Sequence, residues 1–178
     1  MRVTVHRGTR QIGGTAVEVE QDGVSIVLDL GLPLGAGEAS PDLLPGVAGL
    51  TAPDPSLLAV VLSHGHADHW GLLPLVHRGV PVISGAATER MQAAAARPFD
   101  RAPPFRAAAH LAHRRPIRIG PFLVTPYLAC HSAFDAYSLL VEAGGRRLFY
   151  SGASGLTAAR PVSSSPSSTP HRGASTPC

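Results

Sequence analysis

Ser63-His64-Gly65-His66-Ala67-Asp68-His69 follows directly on the apolar run Leu57-Leu58-Ala59-Val60-Val61-Leu62. Three of the nine histidines of the chain fall within the six residues from His64 to His69, with a carboxylate between them. Neutral imidazole nitrogens and carboxylate oxygens are the donors that zinc and similar borderline metals take. A short aliphatic run without polar alternation suits a strand buried on both faces. The histidine cluster then lies on the loop at the strand's C-terminal end, the edge at which α/β sheets gather their ligands. Gly65 permits a tight turn. Such a turn would bring His64 and His66 onto one ion and leave Asp68 and His69 to face a second. The alternative is a solvated loop that is rich in histidine by chance.

Upstream, Val3 to His6 and Thr15 to Glu20 alternate apolar and polar residues, as half-buried strands do. Asp22-Gly23 signals a hairpin into a further strand, Val24 to Asp29. Residues 31 to 55 carry many Gly and Pro and predict a long surface loop. Beyond the histidines the pattern predicts a helix from Gly71 to about Arg78, a strand at Val80 to Ile83 and a helix over Ala86 to Arg97. Strands are expected at Ile117 to Ile119, Phe122 to Leu128, Tyr137 to Glu142 and Arg146 to Tyr150, the last two joined at Gly144-Gly145. Strands alternating with helices indicate a layered α/β fold.

Further motifs join the cluster. Gln11-Ile12-Gly13-Gly14 comes early, Asp29-Leu30-Gly31 closes a strand, and Thr125 to Asp135 contains Cys130-His131-Ser132. His-x-His-x-Asp-His after a hydrophobic strand resembles the signature of the metallo-β-lactamase fold of hydrolases. The flanking motifs resemble its branch of RNA-processing β-CASP nucleases, the ribonuclease J kind. The resemblance covers residues 1 to 152 and implies the N-terminal part of an αββα sandwich. It implies that His64, His66 and His131 hold one Zn²⁺ and that Asp68 and His69 contribute to a second ion and to catalysis. Asp29 would orient a ligand imidazole from behind. A metal-activated hydroxide would then cut an RNA phosphodiester. RNA is the implied substrate, the cytoplasm the implied location, and the intact family leaves room for a homo-oligomer. A same-fold hydrolase of a thioester or lactam is the competing substrate class. Cys130 is a rival ligand, although neighbours on a strand point to opposite faces. His6, His77, His110 and His113 show no ligand pattern. Six arginines between Arg97 and Arg118, with Asp100 as the one acid among them, offer either an RNA-facing surface or an ordinary solvated one.

Composition sets the limits. The 178 residues are 44% hydrophobic and 15% charged with a net charge of +3, which excludes a chain unable to form a core. No run approaches the roughly 20 apolar residues of a membrane-crossing helix. The polar start predicts no secretory signal, and Cys130 and Cys178 form no disulfide framework. All 15 basic residues are Arg, and Lys and Asn do not occur, a bias expected of GC-rich coding. Glu142 is the last acidic residue, and 12 of the 18 residues from Pro161 to Cys178 are Ser, Thr or Pro. Residues 153 to 178 are therefore expected to form a disordered tail.

The resemblance also locates a break. Its next motif is a strand ending in Ser-Gly-Asp, whose Asp bridges two metals. Here Tyr150-Ser151-Gly152 is followed by Ala153. The family's continuation, Phe-Arg-Ala-His-Gly-Arg-Lys-Ala, written in GC-rich codons and read in a neighbouring frame, gives Ser-Gly-Leu-Thr-Ala-Ala-Arg. That is residues 154 to 160 as they stand. A frameshift near codon 153 is thus expected, with at most one tightly held Zn²⁺. A truncated, non-catalytic metal-binding fragment is the alternative to an active enzyme.

Overall fold

A computed structural model describes residues 1–152. The expected tail and frame change at 153 to 178 lie outside the described residues. The described residues form two sheets. Strands β1 (Arg2–Arg7), β2 (Ala16–Gln21) and β3 (Val24–Leu30) form an antiparallel meander, and β4 (Leu57–Val61), β5 (Val82–Gly85) and β6 (Ala107–Leu111) extend it in parallel, in the order β1-β2-β3-β4-β5-β6. Strands β7 (Ile117–Ile119), β8 (Phe122–Leu128), β9 (Tyr137–Ala143) and β10 (Arg146–Tyr150) make the second, antiparallel sheet. Among the described residues the α-helices are α1 (Ala67–Trp70) and α2 (Ala86–Ala96).

Why β3 and β4 are apolar almost throughout follows from the two cores. Successive side chains of a strand point to opposite faces. Ile26, Leu28, Ala59 and Val61 face the second sheet and pack with Phe122, Val124, Leu139 and Val141. Val27, Leu30, Val60 and Leu62 face the other way, against Val47, Leu50, Leu72, Leu73 and Phe105 of the connecting segments. Each fully buried Leu, Ile or Phe contributes about 1.5–3 kcal/mol. Among the described residues both helices lie on the first sheet, α1 against β3 and α2 against β5 and β6. On the second sheet Phe149 remains exposed. The mixed α/β layering expected from the sequence is thus present, as part of a sandwich.

Three local expectations change. The helix expected at 71 to 78 is replaced by α1, which begins four residues earlier, inside the histidine motif, and by a single 3-10 turn at Leu73–Leu75. Pro74 has no N–H to give and would clash with the preceding helical turn. The Leu72 N–H is spent on the Leu30 carbonyl at 3.1 Å. Strand β6 was not expected, because Ala107-Ala108-Ala109 has little intrinsic strand preference. Parallel pairing with β5 imposes it. The segment 31 to 55 is not all surface, since Val47 and Leu50 are buried under the first sheet.

Register places the site. Leu28 pairs with Val61 in the parallel ladder, so Asp29 and Ser63 emerge near one another at the C-terminal ends of β3 and β4. Beside them, the Thr15 N–H donates to the Asp68 carbonyl at 3.2 Å and the Leu32 N–H to the Ala67 carbonyl at 3.0 Å. Gly31 makes this closeness feasible, because a Cβ there would stand 1.7 Å from the Asp68 carbonyl oxygen. Gly31→Ala should therefore destabilise the fold by about 1–3 kcal/mol, the usual range for overpacking. Urea unfolding measures it; no loss of stability would show that the loop yields freely.

Candidate metal centre

Asp29 is fully buried and adopts a left-handed backbone conformation with φ of 58°, uncommon for a residue other than Gly. Four donors converge on its carboxylate. Oδ1 accepts the Ser63 N–H at 2.7 Å. Oδ2 accepts the Ser63 hydroxyl at 2.7 Å, His69 Nδ1 at 2.7 Å and the Tyr150 hydroxyl at 2.5 Å. Burial pushes the Asp29 pKa up, but the bonds from His69, Ser63 and Tyr150 outweigh it and hold the carboxyl below its ordinary range. His69 responds oppositely. Burial lowers its pKa, the bond and charge of Asp29 raise it more, and the balance is a raised value. Tyr150 is held well above its ordinary value by burial and by the adjacent Asp29.

Ser63 extends the network to the metal face. Its Oγ lies 2.9 Å from His64 Nδ1. With the Ser63 proton given to Asp29, His64 Nδ1–H donates to Ser63 Oγ, and His64 Nε2 keeps its lone pair. That nitrogen is buried with no hydrogen-bond partner among the described residues. Burial and then the neighbouring His69 push the His64 pKa down to about 3, so the ring is neutral, as a metal ligand must be. Burial, then the charges of His66 and His69, lowers His131 as well.

The three expected zinc ligands meet here. One ring nitrogen from each of His64, His66 and His131 lies within 4.8 Å of the others. His131 Nε2 is 3.2 Å from His66 Nδ1, close to the roughly 3.3 Å separating nitrogens of a tetrahedral zinc site. An unpartnered imidazole nitrogen facing two further imidazoles fits a borderline divalent metal. Asp68 and His69 stand at the edge of this group, with His69 Nε2 3.4 Å from Asp68 Oδ2. Cys130 is exposed and does not belong to the nitrogen cluster. His6 pairs with Glu18 at 2.9 Å and His110 with Glu89 at 2.7 Å. His77 and His113 accept backbone N–H groups of Gly79 and Leu128. The six arginines from Arg97 to Arg118 are all exposed.

A family model described as a beta-lactamase superfamily domain matches residues 37–163, a span that contains the whole histidine cluster. The chain belongs to that superfamily. Among its relatives is ribonuclease J of Mycobacterium tuberculosis, 27% identical over 157 residues that cover 85% of this chain. The match takes in 28% of that relative, so the chain spans about a quarter of the curated protein's length. A protein of unknown function from Enterococcus faecalis superposes with a TM-score of 0.69 at 23% identity, covering 84% of this chain and 42% of the other. The metallo-beta-lactamase fold protein YhfI of Bacillus subtilis gives 0.60 at 20%, covering 84% and 61%. Zn²⁺-bound PqqB of Methylobacterium extorquens gives 0.51 at 21%, covering 77% and 48%. These structures share the superfamily fold.

Ser63 and Tyr150 were not among the residues singled out from the sequence. Ser63 stood inside the quoted motif and a buried polar partner for Asp29 could have been sought there. Tyr150 carried no local signal, being 121 residues from Asp29.

The His64 pKa has a consequence for pH. Below about pH 6.5 the unfolded chain protonates this ring while the folded, metal-free chain does not. Its contribution to stability is therefore complete above that value and declines as pH falls toward about 3. His69, with a raised pKa, stabilises below its unfolded value and loses that contribution as pH rises through its folded one. Imidazole ¹⁵N shifts of the metal-free chain should show His64 still neutral at about pH 5. A charged His64 there would contradict the assigned network.

Proposed function

We propose that the chain carries the metal-binding part of a hydrolase that cuts RNA phosphodiester bonds, with zinc held by His64, His66 and His131. The convergence of these rings around the unpartnered, buried Nε2 of His64 carries the reading. A zinc ion held by these three histidines would lower the pKa of a water from about 15.7 to about 7 and would polarise a phosphoryl oxygen. Ser63 holds His64 in the tautomer that presents Nε2. Asp29 fixes His69 through Nδ1, leaving its Nε2 and Asp68 directed to the site's edge as a second, weaker set of donors and as the groups that handle a proton. Similarity to the mycobacterial ribonuclease J supports RNA as substrate, and the cytoplasm is the location proposed with that reading. Among the described residues no helix is long and apolar enough to cross a membrane.

Ala153 after Ser151-Gly152 favours a second reading, a fragment that holds one ion without useful turnover. An alanine side chain offers no oxygen to a second metal. In this reading residues 1–152 are the N-terminal part of the domain, and 153–178 are out of frame. The gene decides that point: the neighbouring frame after codon 152 should encode Asp-Phe-Arg-Ala-His, and any other continuation refutes it. Assays with 5′-phosphorylated RNA and with a thioester test the substrate class. Zinc-dependent cleavage of the RNA alone is expected, and hydrolysis of the thioester alone would overturn the assignment.

A further inference from the structure

Helix α2 touches both loops that carry the histidines. On one side, Gln92 Nε2 donates to the Gly65 carbonyl at 2.8 Å, and Trp70 Nε1 donates to the same oxygen at 3.0 Å. Gly65 separates His64 from His66, so these two bonds hold the turn between two of the three rings. The turn also sits against the helix itself, since a Cβ at Gly65 would stand 3.3 Å from Thr88 Cγ2 and 3.4 Å from Gln92 Nε2. Thr88 and Gln92, four apart, share one helix face.

On the other side, the loop between β8 and β9 carries both His131 and Asp135. Asp135 Oδ2 accepts the Ala87 N–H in the first turn of α2 at 2.6 Å, and Oδ1 accepts the Tyr137 hydroxyl at 2.9 Å. The carboxylate lies close because residue 85 is Gly: a Cβ there would be 2.5 Å from Asp135 Oδ2. Asp135 takes a left-handed conformation, φ 59°, to reach the helix. Thr88 Oγ1 is 3.5 Å from the Phe134 carbonyl of the same loop. Two loops distant in sequence thus rest on one rigid element, an 11-residue helix.

We propose that α2 is the brace that sets the spacing of the His64–His66 turn relative to His131, with Gln92 and Asp135 as its positioning residues. Neither touches the metal nitrogens; each acts through the loop it holds. The inference rests on the reading that these three histidines bind zinc, and it adds what keeps them in register before the ion arrives. Groups that orient metal ligands from outside are worth about 10–100-fold in metal affinity.

The test uses the 178-residue chain with zinc affinity measured by competition against a chromophoric chelator. Gln92→Leu and Asp135→Ala should each weaken zinc by about 10-fold or more. Asp135→Asn should recover most of the loss, because its amide oxygen still accepts the Ala87 N–H while the Tyr137 hydroxyl turns to accept. A merely structural role would lower stability and leave zinc affinity in place. Gln92 is half-exposed on the helix surface, so Gln92→Leu decides the matter even where Asp135→Ala fails to fold. Unchanged affinity in folded Gln92→Leu would overturn the brace. Failure of the unsubstituted chain to bind zinc would instead refute the three-histidine reading. The brace is then judged in metal-free protein by hydrogen exchange. Gln92→Leu should speed exchange at the His69 N–H, which is bonded to the His66 carbonyl, and Asp135→Ala at the Ala129 N–H, bonded to Ala136. Unchanged exchange at both would overturn it.

Discussion

Replacing Asp29 by Ala should cost about 3–5 kcal/mol of stability, the range for removing one partner of a buried charged network. The expected size follows from what the substitution leaves behind. The Ser63 N–H and hydroxyl, His69 Nδ1–H and the Tyr150 hydroxyl all direct protons at one buried carboxylate. Without it, these donors have no acceptor, and each unsatisfied buried polar group costs about 1–3 kcal/mol. Some of this will be recovered by water entering the space, which is why the sum of the separate costs overstates the loss. Asp29→Asn should lose less, since its carbonyl oxygen still accepts two of the donors, but its neutral amide cannot stabilise the protonated form of His69 as the carboxylate does. Native stability in a small domain is about 5–15 kcal/mol, so a loss of this size removes a large share of it and should move the unfolding midpoint clearly downward. Urea denaturation followed by circular dichroism measures the change. A loss below about 1 kcal/mol would mean that the buried network contributes specificity and little stability.

His66→Ala should weaken zinc by more than the roughly 10–100-fold expected for outer partners, because it removes a donor from the ion itself. His66 is half-exposed at the start of α1 and makes no bond to Asp29 or Ser63 among the described residues, so the fold should survive the change. The substitution separates metal binding from folding in a way that Asp29→Ala cannot. Any RNA cleavage should disappear with the metal. Cleavage that persists at an undiminished rate in His66→Ala would place the activity elsewhere.

What the sequence made legible were features whose parts lie next to one another. The aliphatic run Leu57 to Leu62, the histidine motif and the strand ending at Asp29 each declare themselves within a few residues, because covalent proximity and side-chain alternation suffice to read them. His131 was found through a motif of its own. The partners that organise these groups were hidden by distance along the chain. Tyr150 meets Asp29 only because β10 is folded back over the end of β3, and Asp135 meets Ala87 only because the β8–β9 loop reaches across to α2. Gln92 carries no local signal, because its partner, the Gly65 carbonyl, lies 27 residues away along the chain. Strand β6 was illegible for a different reason. Its alanines prefer helix, and the β5 edge, which the local sequence does not contain, overrides that preference. Pro74 was visible in the sequence and argued against a long helix after Gly71, a signal that the apolar leucines around it obscured.

Whether His64, His66 and His131 together hold one metal ion is read from the zinc content of the purified 178-residue chain after equilibrium dialysis. One tightly held zinc per chain is expected, lost in His66→Ala and in His131→Ala. No zinc on the unsubstituted chain would contradict the three-histidine site, and two stoichiometric ions would contradict the role given to Ala153.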